Sequence, residues 1–158
     1  MRKKGKQVVP EDIHLLHVNV IHFCLEASEN YLEHPLLPGG TEISIGKEIG
    51  WNFEQGRSRY RLHFHFEAKD EEKKSLGLTA DVGIEYLFEI KGLNTFLSKK
   101  GDAVQVDIAL AGSLMNIAYG TSRGIVLAQT RNTYFNGILL PVIDVMELLK
   151  EPLSTSSK

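Results

Sequence analysis

Between Leu15 and Ile90 apolar and polar residues alternate with a period of two, which predicts four β-strands. In the first, Leu16, Val18 and Val20 alternate with His17 and Asn19, then Ile21, Phe23 and Leu25 with His22, Cys24 and Glu26. The apolar phase slips by one residue at Val20–Ile21, so a β-bulge is expected inside one long strand. A loop rich in Pro and Gly follows (31–40, YLEHPLLPGG), unusual in carrying Leu36 and Leu37. The second strand, 42–54, puts Ile43, Ile45, Ile49, Trp51 and Phe53 on one face. In the third, Tyr60, Leu62, Phe64, Phe66 and Ala68 alternate with Arg59, Arg61, His63, His65 and Glu67. After a charged loop, KDEEKK, the fourth strand runs from 76 to 90 with Leu76, Leu78, Ala80, Val82, Ile84, Tyr86, Phe88 and Ile90 inward. Leu87 is the single apolar side chain on its outward row, between Glu85 and Glu89, and 93–101 reads as a polar connector.

The period then changes to that of a helix over 107–131. Leu110, Leu114, Ile117, Thr121, Ile125 and Ala128 form one stripe, the expected core-facing ridge. Met115, Tyr119 and Val126 lie nearly opposite, with a ridge of Gly112, Asn116, Gly120 and Gly124 between. A surface helix should carry charge on its far side. Here Arg123 is the only lysine or arginine before Arg131, and no acid follows Asp107. The expectation is a homo-oligomer whose helices lie between two sheets, with Met115, Tyr119, Gly120, Arg123, Gly124 and Val126 at the interface. The alternative is that the loop and short helix of the same chain cover that side. This short helix begins near 141 and runs through 143–149.

The expected fold class is thus α+β: a four-stranded antiparallel β-meander, with a long helix and a short C-terminal helix packed on its one apolar face. A single domain is expected at 13–150, between a flexible basic arm (1–12) and a flexible tail (151–158). With 42% hydrophobic residues, 158 positions suffice for one core. The net charge of −2 argues against wholesale nucleic-acid binding. One cysteine, Cys24, excludes an internal disulfide and suggests a reducing, cytoplasmic home. No apolar run is long enough for membrane insertion.

Candidate chemistry is sparse. His63 and His65 share a strand face at a spacing that can bind zinc, but they need further ligands, and a solvated polar row is the simpler reading. The helix glycines match no phosphate loop, Ser113 and Ser122 lack the hydrolase elbow, and Asp81, Glu85 and Glu89 face no second acidic cluster. No catalytic residue, metal site or cofactor is expected, and a non-enzymatic binding protein is favoured. A small-ligand or metal-binding protein using the sheet–helix groove is the competing class.

The order of elements resembles the SecB-type protein-export chaperones from about Val18 to Leu149. The local matches are Leu87-Phe88-Glu89-Ile90, Arg123 in the long helix, Arg131-x-Thr133, and Leu140-Pro141-Val142-Ile143-Asp144 at the entry to the last helix. The resemblance implies a tetramer, a dimer of dimers, that holds unfolded preproteins in apolar grooves and passes them to the translocase SecA. It places partner docking at Glu26, Glu85, Leu87 and Glu89, although His22 stands where the family has an aspartate. For client binding, the apolar residues themselves suggest a groove beside the 31–38 loop and the short helix: Tyr31, Leu36, Leu37, Trp51, Met146 and Leu149. A SecB-like chaperone serving a toxin–antitoxin or mobile-element system is the variant within this class.

Overall fold

The computed structural model describes residues 6–150. The first five residues of the expected arm, and the expected tail at 151–158, lie outside the described residues. The chain runs β1 (Ile13–Ala27), α1 (Glu29–Glu33), β2 (Gly40–Asn52), β3 (Arg57–Lys69), β4 (Ser75–Ile90), β5 (Leu97–Lys100), β6 (Ala103–Val106), α2 (Ile108–Thr130) and α3 (Val145–Lys150). The class is α+β, with a four-stranded antiparallel sheet covered by helices on one face. The strand order β1-β4-β3-β2 departs from a plain meander. Only β2, β3 and β4 follow one another, and β1 pairs with β4. The segment from Ser28 to Gly39 holds α1 and a loop, far more chain than a hairpin uses, and it crosses over instead. β5 and β6 form a small hairpin where a connector was expected, turned by Gly101 at φ 64°.

Two bulges shape β1. Its register against β4 shifts between Val20 and His22, as the phase slip predicts, and also between Leu15 and His17. Together they keep Leu15, Val18, Val20, Phe23 and Leu25 on the inner face, opposite Phe88, Tyr86, Ile84, Val82 and Ala80. His14, His17, Asn19, His22, Cys24 and Glu26 share the outer face. The inward rows of β3 and β4 are sealed: Tyr60, Leu62, Phe64, Phe66, Ile84, Tyr86 and Phe88 are at most 1% exposed. Each such large side chain contributes roughly 1.5–3 kcal/mol relative to exposure.

Helix α2 supplies that seal. Its N-cap Asp107 accepts a hydrogen bond from the Ala109 amide at 2.8 Å. The sheet presents bulky rings, so the helix meets them with small residues. The Tyr60 hydroxyl donates to the Ala111 carbonyl at 3.1 Å, and Ser122 bonds the Tyr86 hydroxyl at 2.6 Å. Burial pushes the Tyr86 phenol up to about 12, with the Ser122 bond opposing the rise. Burial likewise raises Tyr60 and Tyr119.

This geometry corrects the expected orientation of the helix. The buried face straddles the two predicted stripes: Leu110 and Leu114 from one, Met115, Tyr119 and Val126 from the other, joined by Ala118 and Ser122. Met115 and Val126 are fully buried and Tyr119 is nearly so, all within the one chain. They are core, not an interface. The segment after α2 covers them: the Tyr119 hydroxyl donates to the Pro141 carbonyl at 2.6 Å, and Arg123 Nε to the Leu140 carbonyl at 3.2 Å. Thr130 fastens the return by accepting from the Ile138 amide at 2.7 Å. Ile117 and Ala128, expected inside, are turned outward with Gly120, Arg123 and Gly124, while Thr121 and Ile125 are half-buried. A Cβ at Gly120 or Gly124 would meet nothing within 4 Å. Among the described residues no helix is long and apolar enough to cross a membrane.

Candidate functional site

β2 is an edge strand, and its inner row of Ile43, Ile45, Ile49 and Trp51 is only half-buried. α3 approaches one end of it. At six residues this helix is too short to persist alone and depends on its anchors. Asp144 caps it by accepting from the Met146 amide at 2.9 Å. Lys47 reaches inward from β2 and donates to the Leu148 carbonyl near its C-terminal end. Met146 sits on Gly112 of α2, where a Cβ would come within 2.7 Å of the thioether sulfur. Between β2 and α3 an open groove of about 420 Å³ remains. Ile43, Ile45, Ile143 and Leu148 line it, with Asp144 and Glu147 beside them.

The structure divides the six residues expected to bind a client. Leu36 and Leu37 are open to solvent, 59% and 82% exposed, beside Leu32 at 51%. Tyr31 is buried; its hydroxyl donates to the Leu36 carbonyl at 3.1 Å and its ring meets Tyr134 edge-on at 5.4 Å. It holds the loop rather than lining a groove. Trp51 stacks on Phe53 and meets Tyr60 edge-on, on the same β2 row but beyond Lys47 from α3. Met146 and Leu149 turn toward Gly112 of α2 and do not line the groove. The lining residues the sequence reading missed are Ile43, Ile45, Ile143 and Leu148. The alternation marked both β2 isoleucines as inward, but only the strand order shows that they stand at the sheet's border.

On the outer face, three of the four expected docking residues, Glu85, Leu87 and Glu89, follow one another along β4, and Glu26 stands apart from them. Glu26 pairs with Thr79 and Leu87 with His17, at opposite ends of the β1–β4 ladder. Glu85 is bound by Arg61, Nε to Oε2 at 2.7 Å, and Glu89 lies 3.7 Å from Arg57. Leu87 therefore sits between His17 and Arg59 rather than among free carboxylates. His65 meets Asp81 at 2.7 Å and His63 lies 3.8 Å from Glu48, which makes the pair part of a polar lattice. Among the described residues no group of three or more histidine, cysteine and carboxylate side chains is placed to hold a metal.

No family model and no curated protein matches the sequence. Among solved structures, the chain is similar to Rv1957 of Mycobacterium tuberculosis, a SecB-like chaperone solved in complex with a ChAD peptide from the Rv1956 HigA1 antitoxin. The TM-score is 0.58 at 10% identity, over 84% of this chain and 91% of that one. A Streptococcus agalactiae protein of unknown function overlaps 82% of this chain and 97% of its own at 9% identity, with a TM-score of 0.38. With an antiparallel sheet in the order β1-β4-β3-β2 and a long helix laid across its inner face, the chain has a SecB-like fold.

Proposed function

We propose that the chain is a non-enzymatic chaperone of the holdase type, which shelters extended apolar segments of unfolded or partly folded proteins. The observation that carries this is the half-covered inner row of β2 leading into the groove under α3. An extended polypeptide can set its backbone along the open edge of β2 and alternate side chains toward Ile43 and Ile45. Leu32 in α1 and Leu36 and Leu37 on the loop after it offer adaptable apolar contacts without fixing a sequence.

Of the two settings for such a chaperone, a dedicated client of the toxin–antitoxin kind is better supported than general export. The structural neighbour was solved with an antitoxin peptide. Delivery to SecA has less behind it, because Glu85 and Glu89 are occupied by arginines and Glu26 is remote. A second copy of the chain is the partner we assign to β1, whose Leu15, Leu16, Val18, Val20, Ile21 and Phe23 are all 36–44% exposed. Pairing there, and then of dimers into a tetramer, would cover them.

The test is suppression of aggregation of a chemically unfolded client at near-stoichiometric ratio, without nucleotide. The chain is expected to suppress it, and Leu36→Ser with Leu37→Ser to weaken suppression without lowering thermal stability. Aggregation that proceeds unchanged in the presence of the wild-type chain would overturn the proposal.

A further inference from the structure

The outer face at the Leu87 end of the sheet has a pattern that client binding leaves unexplained. Across the strands one row reads His17, Leu87, Arg59, Gly50, and the next His14, Glu89, Arg57, Asn52. The row on the other side of Leu87 holds Asn19, Glu85, Arg61 and Glu48. In that row the arginine is satisfied, with Arg61 taking Glu85 at 2.7 Å and Glu48 at 3.7 Å. Arg57 is half satisfied: its terminal nitrogen lies 3.7 Å from Glu89, while its buried Nε has no hydrogen-bond partner. Arg59, beside Leu87 and exposed, has no carboxylate within 4 Å among the described residues. Gly50, next to it, carries no side chain to screen the guanidinium. Around these groups lies a depression of about 290 Å³, with Gln55 and Asn52 on its wall.

An exposed arginine fork with no carboxylate on it and a half-exposed leucine paired beside it together suit a carboxylate next to an apolar side chain. We propose that this surface docks an acidic linear segment of a partner protein, with an apolar residue on Leu87 and a neighbouring Asp or Glu on Arg59. The segment contributes the missing acceptor and the row contributes the hydrophobic seat. A nucleic acid fits less well. Its continuous phosphates could not reach Arg59 without also lying over Glu85, Glu89 and Glu48, and a chain of net charge −2 exerts no long-range pull on a polyanion. A basic segment fits worst, since the carboxylates beside Leu87 already hold arginines. The surface lies on the opposite face of the sheet from the β2–α3 groove, so docking here and client binding are independent.

The experiment uses the full chain and a short fluorescein-labelled peptide alternating leucine and glutamate, read by anisotropy at low salt. Peptides with glutamine or lysine in place of glutamate serve as comparisons. The glutamate peptide is expected to bind, and to be released as ionic strength rises toward about 0.5 M. Arg59→Ala should weaken it at least about fivefold and Arg59→Glu more, while Arg59→Lys retains part of the binding and Leu87→Ala loses apolar contact. Both sites are exposed or half-exposed, and unchanged thermal midpoints of the four variants will confirm folding. Equal binding of the glutamine or lysine peptide, or an Arg59→Glu variant that binds as wild type, overturns the proposal. So does competition by inorganic tripolyphosphate at the peptide's own concentration, which would make this a general anion site. Client protection by Arg59→Glu should equal wild type, so failure here and failure of the chaperone reading are separately visible.

Discussion

β1 and β4 are paired along nearly their whole length and carry the same inward alternation, yet one is sealed and the other half-open. Phe88 and Val82 on β4 are at most 1% exposed, whereas their partners Leu15 and Phe23 on β1 are 39% and 38% exposed. The difference lies in reach. One helix is about 10 Å across and spans two strands, and α2 lies on β3 and β4. A period of two tells which way a side chain points, but not whether anything waits there to cover it. The two flanks left uncovered, β1 and β2, are where other polypeptides are assigned.

The comparison can be broken most forcefully by truncating matched rings. Phe88→Ala should cost about 3–5 kcal/mol in urea unfolding, and Phe23→Ala in the isolated chain under about 2 kcal/mol. Equal losses would mean that β1 is covered within its own chain. Next in size is Gly112→Ala. The new methyl would collide with Met146, displace α3, cost about 1–3 kcal/mol and weaken client binding by reshaping the groove beside β2. Calorimetry and suppression of client aggregation by the same variant check both effects.

Tyr86→Phe is expected to cost about 1 kcal/mol by leaving Ser122 with its bond to the Ala118 carbonyl alone. It also carries a pH signature. The folded phenol titrates near 12 against an ordinary 10, so the buried neutral form stabilises the fold fully below pH 10. That contribution falls as pH rises from 10 through about 12, and the variant should unfold with a shallower alkaline slope. The smallest effect on stability belongs to the open strand. Val18→Lys should change unfolding of the isolated chain by less than about 0.5 kcal/mol while lowering the native mass of the assembly. A change in stability without a change in mass would remove β1 as the contact between copies.

Most of the sheet is legible in the sequence. The third and fourth strands, the bulge at Ile21 and the long helix all follow from alternation and its breaks, because each is a local pattern. The rotation of α2 is not. Its two stripes are almost equally apolar, and the choice was made by fit: Ala111, Ala118 and Ser122 are small where Tyr60, Phe64 and Tyr86 are large. Summed hydrophobicity treats Ser122 as an outward residue, whereas the tyrosine it bonds makes it a core one. The β2–α3 groove is half legible. Alternation marks Ile43 and Ile45 as inward, but the groove exists because β2 ends the sheet, and strand order is not a local property. Pairing of outer-face charges was hidden for the same reason, since Glu85 finds its arginine on the neighbouring strand.

The twin kinks at Leu16 and Ile21 bear on how an oily border avoids becoming a hazard. A straight margin of that composition would template any passing strand and grow without limit. A margin bent twice presents its amide donors and acceptors at broken intervals, so a generic strand meets gaps where it needs bonds. Only a chain whose outline bends at matching places can close along it, which lets greasiness coexist with choosiness about company.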